Sequence, residues 1–166
     1  MFVGGFDFDT HAVHLVLVDL DGLRTPWYHA FPLTGDDAFD RLRDVARVMP
    51  YRSSILYDEC VAFGIEEPQG RHKATVAKLK AVQGAIVASL PAHALVHPLE
   101  PARWRSLCGL KGNAPKDTVK FHSIWSWLPP EGAIEPEVDR WPQDAHDAHL
   151  IALATRRLLD QQEKAA

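Results

Sequence analysis

Two cysteines, Cys60 and Cys108, are all the thiol chemistry available to this 166-residue chain. That is too little for a disulfide framework or a four-thiolate zinc centre and fits a reducing compartment. Each is expected to act as a small buried hydrophobe. No apolar run approaches the roughly 18 to 20 residues that span a bilayer. The opening MFVGGFDFD has no basic region ahead of its apolar residues, so the chain is expected to be cytoplasmic. There is no GxSxG elbow, no Walker-type glycine-rich loop and no dinucleotide fingerprint, which removes the usual signals of serine hydrolases, P-loop NTPases and nicotinamide enzymes. Internal repeats, low-complexity tracts and flexible linkers are also missing. With 46% hydrophobic and 24% charged residues, a single domain over 1–166 is expected, ending in a frayed tail over 161–166.

Positive charge is scarce overall, at a net −4, but it is not evenly spread. Arg71, Lys73, Lys78, Lys80, Arg103, Arg105, Lys111, Lys116 and Lys120 face only Glu100 and Asp117 between residues 71 and 120, a balance of +7, and the rest of the chain carries −11. A basic middle between acidic ends suits an enzyme that holds phosphates in one region and cations in another. A solvated basic helix pair would leave the same footprint.

Hydrophobic patterning supplies the elements. Phe2 to Phe8, Ala12 to Leu20 and Thr25 to Phe31 read as three strands, the last two separated by the turn dipeptide Asp21-Gly22, and suggest an antiparallel meander. An amphipathic helix is expected from Asp36 and Asp37 to near Pro50, through Phe39, Leu42, Val45, Ala46 and Val48. A short strand over Val61 to Ile65 ends on Glu66 and Glu67. A helix is expected from Lys73 to Leu90, a fifth strand over Ala94 to His97, and a short helix over Pro101 to Cys108. The loop GLKGNAPKD (109–117) then enters a helix through Trp127. Pro129-Pro130 opens a polar stretch before the last helix. This order makes a mixed sheet with helices on its faces.

The acids mark a site. Asp7 and Asp9 end the first strand and Glu66 and Glu67 the fourth, and adjacent strand ends are where ligands collect in such sheets. The last helix carries QDAHDAHLIALA. With Asp144 set to 0°, Asp147 falls at about 300°, and Ile151, Ala154 and Leu158 near 340°, 280° and 320°. His146 and His149 fall at about 200° and 140°. The aspartates therefore share the apolar stripe, although Leu153 near 180° departs from it, and the histidines are expected to face solvent. Asp144 could alternatively cap the helix; a cap does not account for Asp147. Two carboxylates beside a core are costly unless a cation accompanies them. Carboxylates without soft ligands favour Mg²⁺ or Mn²⁺, and His146 and His149 lack the further ligands of a zinc site. A pair of ions can drive in-line attack on a phosphodiester, so a nuclease follows as a hypothesis.

The same stretches resemble the RuvC-type Holliday junction resolvases of the RNase H-like superfamily. GGFDFDTHAVHLVLV is similar to that family's first strand and its turn into the second, VAFGIEE to its strand ending in Ile-Glu, and QDAHDAHLIALA to its Asp-x-x-Asp-Ala helix. AVQGAIVASL resembles the long helix after the catalytic glutamate, and LKGNAPKDTVKFHSIW the Gly-rich, Lys-bearing segment near the active site. The motifs run in the same order from about Phe2 to Leu158, and a short, divergent chain suits a phage-type member. The resemblance implies an RNase H-like five-stranded mixed sheet, three antiparallel strands then two parallel, flanked by helices. It also implies a homodimer that nicks opposed strands of four-way DNA junctions symmetrically, leaving 5′-phosphate ends. Asp7, Glu66, Asp144 and Asp147 would hold two Mg²⁺ ions, with Mn²⁺ able to substitute, and Lys116 would contact the scissile phosphate. Arg71, Lys73, Lys78, Lys80 and Lys111 would hold DNA backbone.

There are departures from the family pattern. Family members carry an aromatic residue shortly after the catalytic glutamate; here Glu67, Pro68, Gln69 and Gly70 follow Glu66, leaving open a broader nuclease that cuts flaps, forks or Y-branched DNA. Asp9 and Glu67 could be supplementary ligands or solvated strand-end acids. Trp104, Trp125 and Trp127 could stack on bases, but Trp125 and Trp127 are expected in the core or a dimer contact. A catalytically dead DNA-binding relative and a zinc module built on His146 and His149 are the readings outside enzymology.

Overall fold

A computed structural model describes residues 1–22, 24–52, 59–127 and 138–165. Aromatic residues in β1 (Phe2–Phe8) and β3 (Trp27–Pro32) and a run of Val and Leu in β2 (Ala12–Asp19) build the first three strands as an antiparallel meander. Asp9 shapes the first turn, accepting the backbone N–H of Ala12 at 2.8 Å. Helix α1 (Ala38–Arg52) leads to β4 (Cys60–Glu66), then α2 (Lys73–Ala88), β5 (Leu95–Leu99), α3 (Pro101–Leu107), α4 (Lys116–Trp125), a 3₁₀ turn at Val138–Arg140 and α5 (Gln143–Ala165). The sheet order is β3-β2-β1-β4-β5, with β4 and β5 parallel to β1. This is the expected mixed sheet of three antiparallel strands followed by two parallel ones.

Alternation gives the sheet two faces. Phe2, Phe6, Leu15, Leu17, Phe63 and Ile65 point to one and form a core with Val45 of α1 and Val82 and Ile86 of α2. Val16 and Val18 point to the other, against Ala148 and Ala152 of α5. A third cluster joins α3, α4 and α5 through Leu99, Trp104, Val119 and Leu150. Glycine permits a close backbone approach: a Cβ on Gly5 would stand 2.1 Å from the Ala148 carbonyl oxygen and 2.4 Å from the Ala152 nitrogen. Paired with it across the parallel register is Gly64, which meets Ile151 and Thr155. Two side-by-side glycines thus let α5 lie directly on the central strands.

Some boundaries differ from expectation. Helix α1 continues past Pro50 to Arg52. Helix α5 reaches Ala165, where a frayed tail was expected from 161, because Gln161, Gln162, Glu163 and Lys164 are good helix formers. Pro129-Pro130 and the polar stretch after it lie outside the described residues. Among the described residues, no helix is long and apolar enough to cross a membrane.

Candidate active site

Strand register and helix position together assemble the acids. Phe6 of β1 lies beside Ile65 of parallel β4, so Asp7 and Glu66 leave neighbouring strands at the same level. By alternation, Asp7 shares the face of Gly5, and Glu66 that of Gly64, which is the face α5 covers. Where Gly5 meets Ala148, Asp7 lies two residues further along the strand, about 7 Å, and Asp144 four residues back along the helix, about 6 Å. Asp144 and Asp147 therefore hang over the strand ends. Helix α5 begins at Gln143, so Asp144 sits within its first turn and is not the cap.

The four acids lie within electrostatic reach of one another. The Asp7 carboxyl is held well above the usual carboxylate range, first by burial and then by Glu66, Asp147 and Asp144 in turn. Burial also raises Glu66 and Asp147, and each is pushed further by the neighbouring aspartates. Opposing hydrogen bonds limit these shifts. The Phe8 N–H donates to Asp7 Oδ1 at 2.9 Å, the Trp104 indole N–H to Glu66 Oε2 at 2.7 Å, and the Gln143 amide to Asp147 Oδ1 at 2.9 Å.

Cations stand close by. Arg105 acts on both Glu66 and Asp147, and Lys116, the first residue of α4, acts on Asp147. Arg105 is held by the Gly112 carbonyl, 3.1 Å from Nη1, and lies over the Trp104 ring with its guanidinium carbon 4.7 Å from the centroid. Gly109, at φ +81°, closes α3 by letting the Leu110 N–H reach back to the Arg105 carbonyl at 2.9 Å. Opposite Asp7 on β2 is His14, whose Nε2 lies 3.7 Å from Asp144 Oδ2 and whose Nδ1 meets the Tyr28 hydroxyl at 3.0 Å. Arg105, Gln143 and His14 were not read as site residues in the sequence, and Trp104 was read only as a candidate for stacking on bases. The one available signal was the position of Trp104-Arg105 in a short helix just after β5.

Other expected residues lie elsewhere. Lys111 is exposed on the loop that Arg105 ties down. Arg71 and Lys73 are exposed at the start of α2, near the end of β4. Lys78 lines a groove of about 700 Å³ with Phe39, Leu42 and Val82, on the sheet face away from the acids. Lys80 lines a second groove with Glu67, Gln83 and Val96. Glu67 thus points away from Glu66, and Asp9 is engaged in its turn.

Three side-chain expectations are corrected. His146 and His149 are buried, not solvent-exposed, because α4 covers the helix face opposite the sheet. Their Nδ1 atoms meet the Ser123 hydroxyl at 3.1 and 2.8 Å, and burial pulls His149 down to about 3. Trp104 is fully buried and cannot stack on bases. Trp125 is exposed beside Phe121, whose ring centroid is 5.6 Å away, so of its two expected places, the core or a dimer contact, the core is removed.

The donor set suits a hard divalent cation. All four groups are oxygen donors, and three are destabilised by burial and mutual repulsion that a cation would relieve. Among the described residues, no three His, Cys, Asp or Glu side chains stand close enough to chelate an ion as they are.

No protein-family model and no curated protein matches the sequence. Solved structures do. The chain is similar to the Thermus thermophilus RuvC structure, with a TM-score of 0.68, 19% identity and coverage of 98% of this chain and 97% of that one. It is also similar to T. thermophilus RuvC in complex with Holliday junction substrate, with a TM-score of 0.71, 16% identity and coverage of 97% and 96%. At this identity the likeness shows a shared fold, the five-stranded mixed sheet flanked by helices of RNase H-like proteins.

Proposed function

We propose that this chain is a metal-dependent endonuclease that resolves four-way DNA junctions by paired symmetric nicks, leaving 5′-phosphate and 3′-hydroxyl ends. The observation that carries this reading is the convergence of Asp144 and Asp147 of α5 on Asp7 and Glu66 at the ends of adjacent strands, the other three acids each acting on Asp7. The fold shared with a RuvC solved with Holliday junction substrate supports the choice of DNA. Asp7, Glu66, Asp144 and Asp147 would hold two Mg²⁺ ions, with Mn²⁺ able to substitute. Bound there, such ions activate the attacking water and stabilise the leaving oxygen. Lys116 and Arg105, beside Asp147 and Glu66, orient the scissile phosphate by charge. Lys111, Arg71, Lys73, Lys78 and Lys80 complete the DNA-binding set, with Lys78 on the sheet face away from the acids. The reading includes one domain over 1–166, a cytoplasmic location and a homodimer paired through the exposed side of α2, so that two sites face opposed strands.

The test is cleavage of labelled four-way, flap and linear DNA by the wild type and Asp7→Asn, with Mg²⁺, Mn²⁺ or EDTA. Paired nicks in the four-way substrate are expected, lost in EDTA and reduced about 10³-fold or more in the variant, the scale of several kcal/mol of lost transition-state stabilisation. Inactivity of the wild type on every branched substrate would sink the reading. Equal cutting of flaps would instead favour the broader branched-DNA nuclease, which the run Glu67-Pro68-Gln69-Gly70, with no aromatic residue, also suits.

A further inference from the structure

We infer that Trp104 is a positioning residue for Glu66, fixing through its indole N–H which carboxylate oxygen is left to meet a cation. This rests on Glu66 being a metal ligand, as proposed above. The indole nitrogen can donate but never accept. Its 2.7 Å hydrogen bond to Glu66 Oε2 takes one lone-pair site of that oxygen and holds the carboxylate in one orientation, so that Oε1 is the oxygen with both sites left for a cation. The ring cannot follow a moving carboxylate. It is fully buried in the cluster formed by Leu99, Cys108, Val119, Leu150 and Ile151, and it belongs to a helix with proline at its first position and Gly109 closing its end.

The backbone of Glu66 is fixed as well. Its carbonyl accepts the Gln83 amide at 3.3 Å, and the next N–H donates to the Leu99 carbonyl at 2.9 Å. With both ends held, the glutamate keeps one orientation against the repulsion of Asp147 and Asp144. A neutral donor is suited to this position. An arginine or lysine there would neutralise Glu66 and compete with the incoming cation, whereas an indole orients the carboxylate and leaves its charge available. Arg105 lies on the Trp104 ring face, where its charge polarises the indole and strengthens the N–H as a donor.

The experiment measures Mn²⁺ binding calorimetrically, without DNA, for the wild type, Trp104→Phe, Glu66→Gln, the double variant and Val119→Ala. Phenylalanine keeps a buried ring but removes the donor, and Val119→Ala loosens the same cluster without touching Glu66. Trp104→Phe is expected to weaken Mn²⁺ about tenfold, the lower end of the effect of removing a partner of a metal ligand. Glu66→Gln should weaken it at least as much, the double variant no further, and Val119→Ala not at all. In the wild type, the Trp104 indole N–H resonance should shift with added Mg²⁺ along the binding isotherm, a readout that does not depend on the variant folding. Unchanged affinity in Trp104→Phe, equal weakening in Val119→Ala, or a resonance that does not move overturns the positioning role. Wild-type affinity in Glu66→Gln overturns the ligand assignment itself.

Discussion

Asp7 occupies an unfavourable position: a half-buried carboxylate with three others acting on it, and the Phe8 N–H opposing its rise. A raised pKa in the folded state means that folding takes up protons. Between the ordinary carboxylate value of 3.8 and the raised folded value, stability falls as pH rises, and above that window the full penalty is present. Glu66 and Asp147 act with the same sign. His149 opposes them: buried neutral, with a pKa of about 3 against 6.5, it weakens the fold as pH drops below 6.5. The carboxylate contribution must therefore be isolated by substitution. Asp7→Asn, which can still accept the Phe8 N–H, is expected to raise the melting temperature in EDTA near pH 8 by roughly 2–6 °C, or about 1–2 kcal/mol. The gain should shrink near pH 5, and Mg²⁺ should stabilise the wild type more than the variant. Scanning calorimetry at the two pH values checks this, and a variant that melts at or below the wild type near pH 8 would contradict it.

At the scale of elements, the contact that builds the site is helix α5 on the glycine pair of β1 and β4. Gly5→Ala would drive a methyl into the backbone of α5 at Ala148 and Ala152, atoms that cannot turn aside as a side-chain end could. The expected loss is about 3 kcal/mol or more, read by urea unfolding, with nicking reduced as Asp144 and Asp147 move off the strands. Gly84→Ala is the contrast: nothing lies within 4 Å of a Cβ there, in the exposed middle of α2, and a gain of about 0.4–1 kcal/mol is expected. A Gly5→Ala variant as stable as the wild type would overturn this account of the helix–sheet contact. The elements themselves were legible because apolar and aromatic patterns are local: all five strands and the order of helices follow from them. Helical phase correctly put Asp144 and Asp147 on the sheet side of α5. The same phase misjudged His146 and His149, because periodicity reports which face differs and not what covers it, and here α4 covers it. Likewise, nothing in VAFGIEE or PARWRSL announces that Glu66 and Trp104 will meet across 38 residues of chain.

For the whole molecule, the basic middle of the sequence does not become one basic surface. Lys116 and Arg105 stand beside the acids, and Lys111 lies on the loop that Arg105 anchors. Lys78, in contrast, lines the α1–α2 groove across the sheet. The net charge of −4 works against DNA, so affinity must come from the few cations on the site face. Each phosphate neutralised releases counterions, which steepens the fall of log affinity with log salt by about 0.9. Binding of a fluorescent four-way junction, measured by anisotropy in EDTA between about 50 and 200 mM salt, should therefore weaken steeply for the wild type. Lys116→Ala and Lys111→Ala are each expected to lower the slope by about 1, uniformly across junction sequences, because phosphate contacts carry no base information. Lys78→Ala should change it least. A slope lowered equally by Lys78→Ala and Lys116→Ala would show that DNA reaches the α1–α2 side as well, and would move the expected binding face off the strand ends where the acids sit.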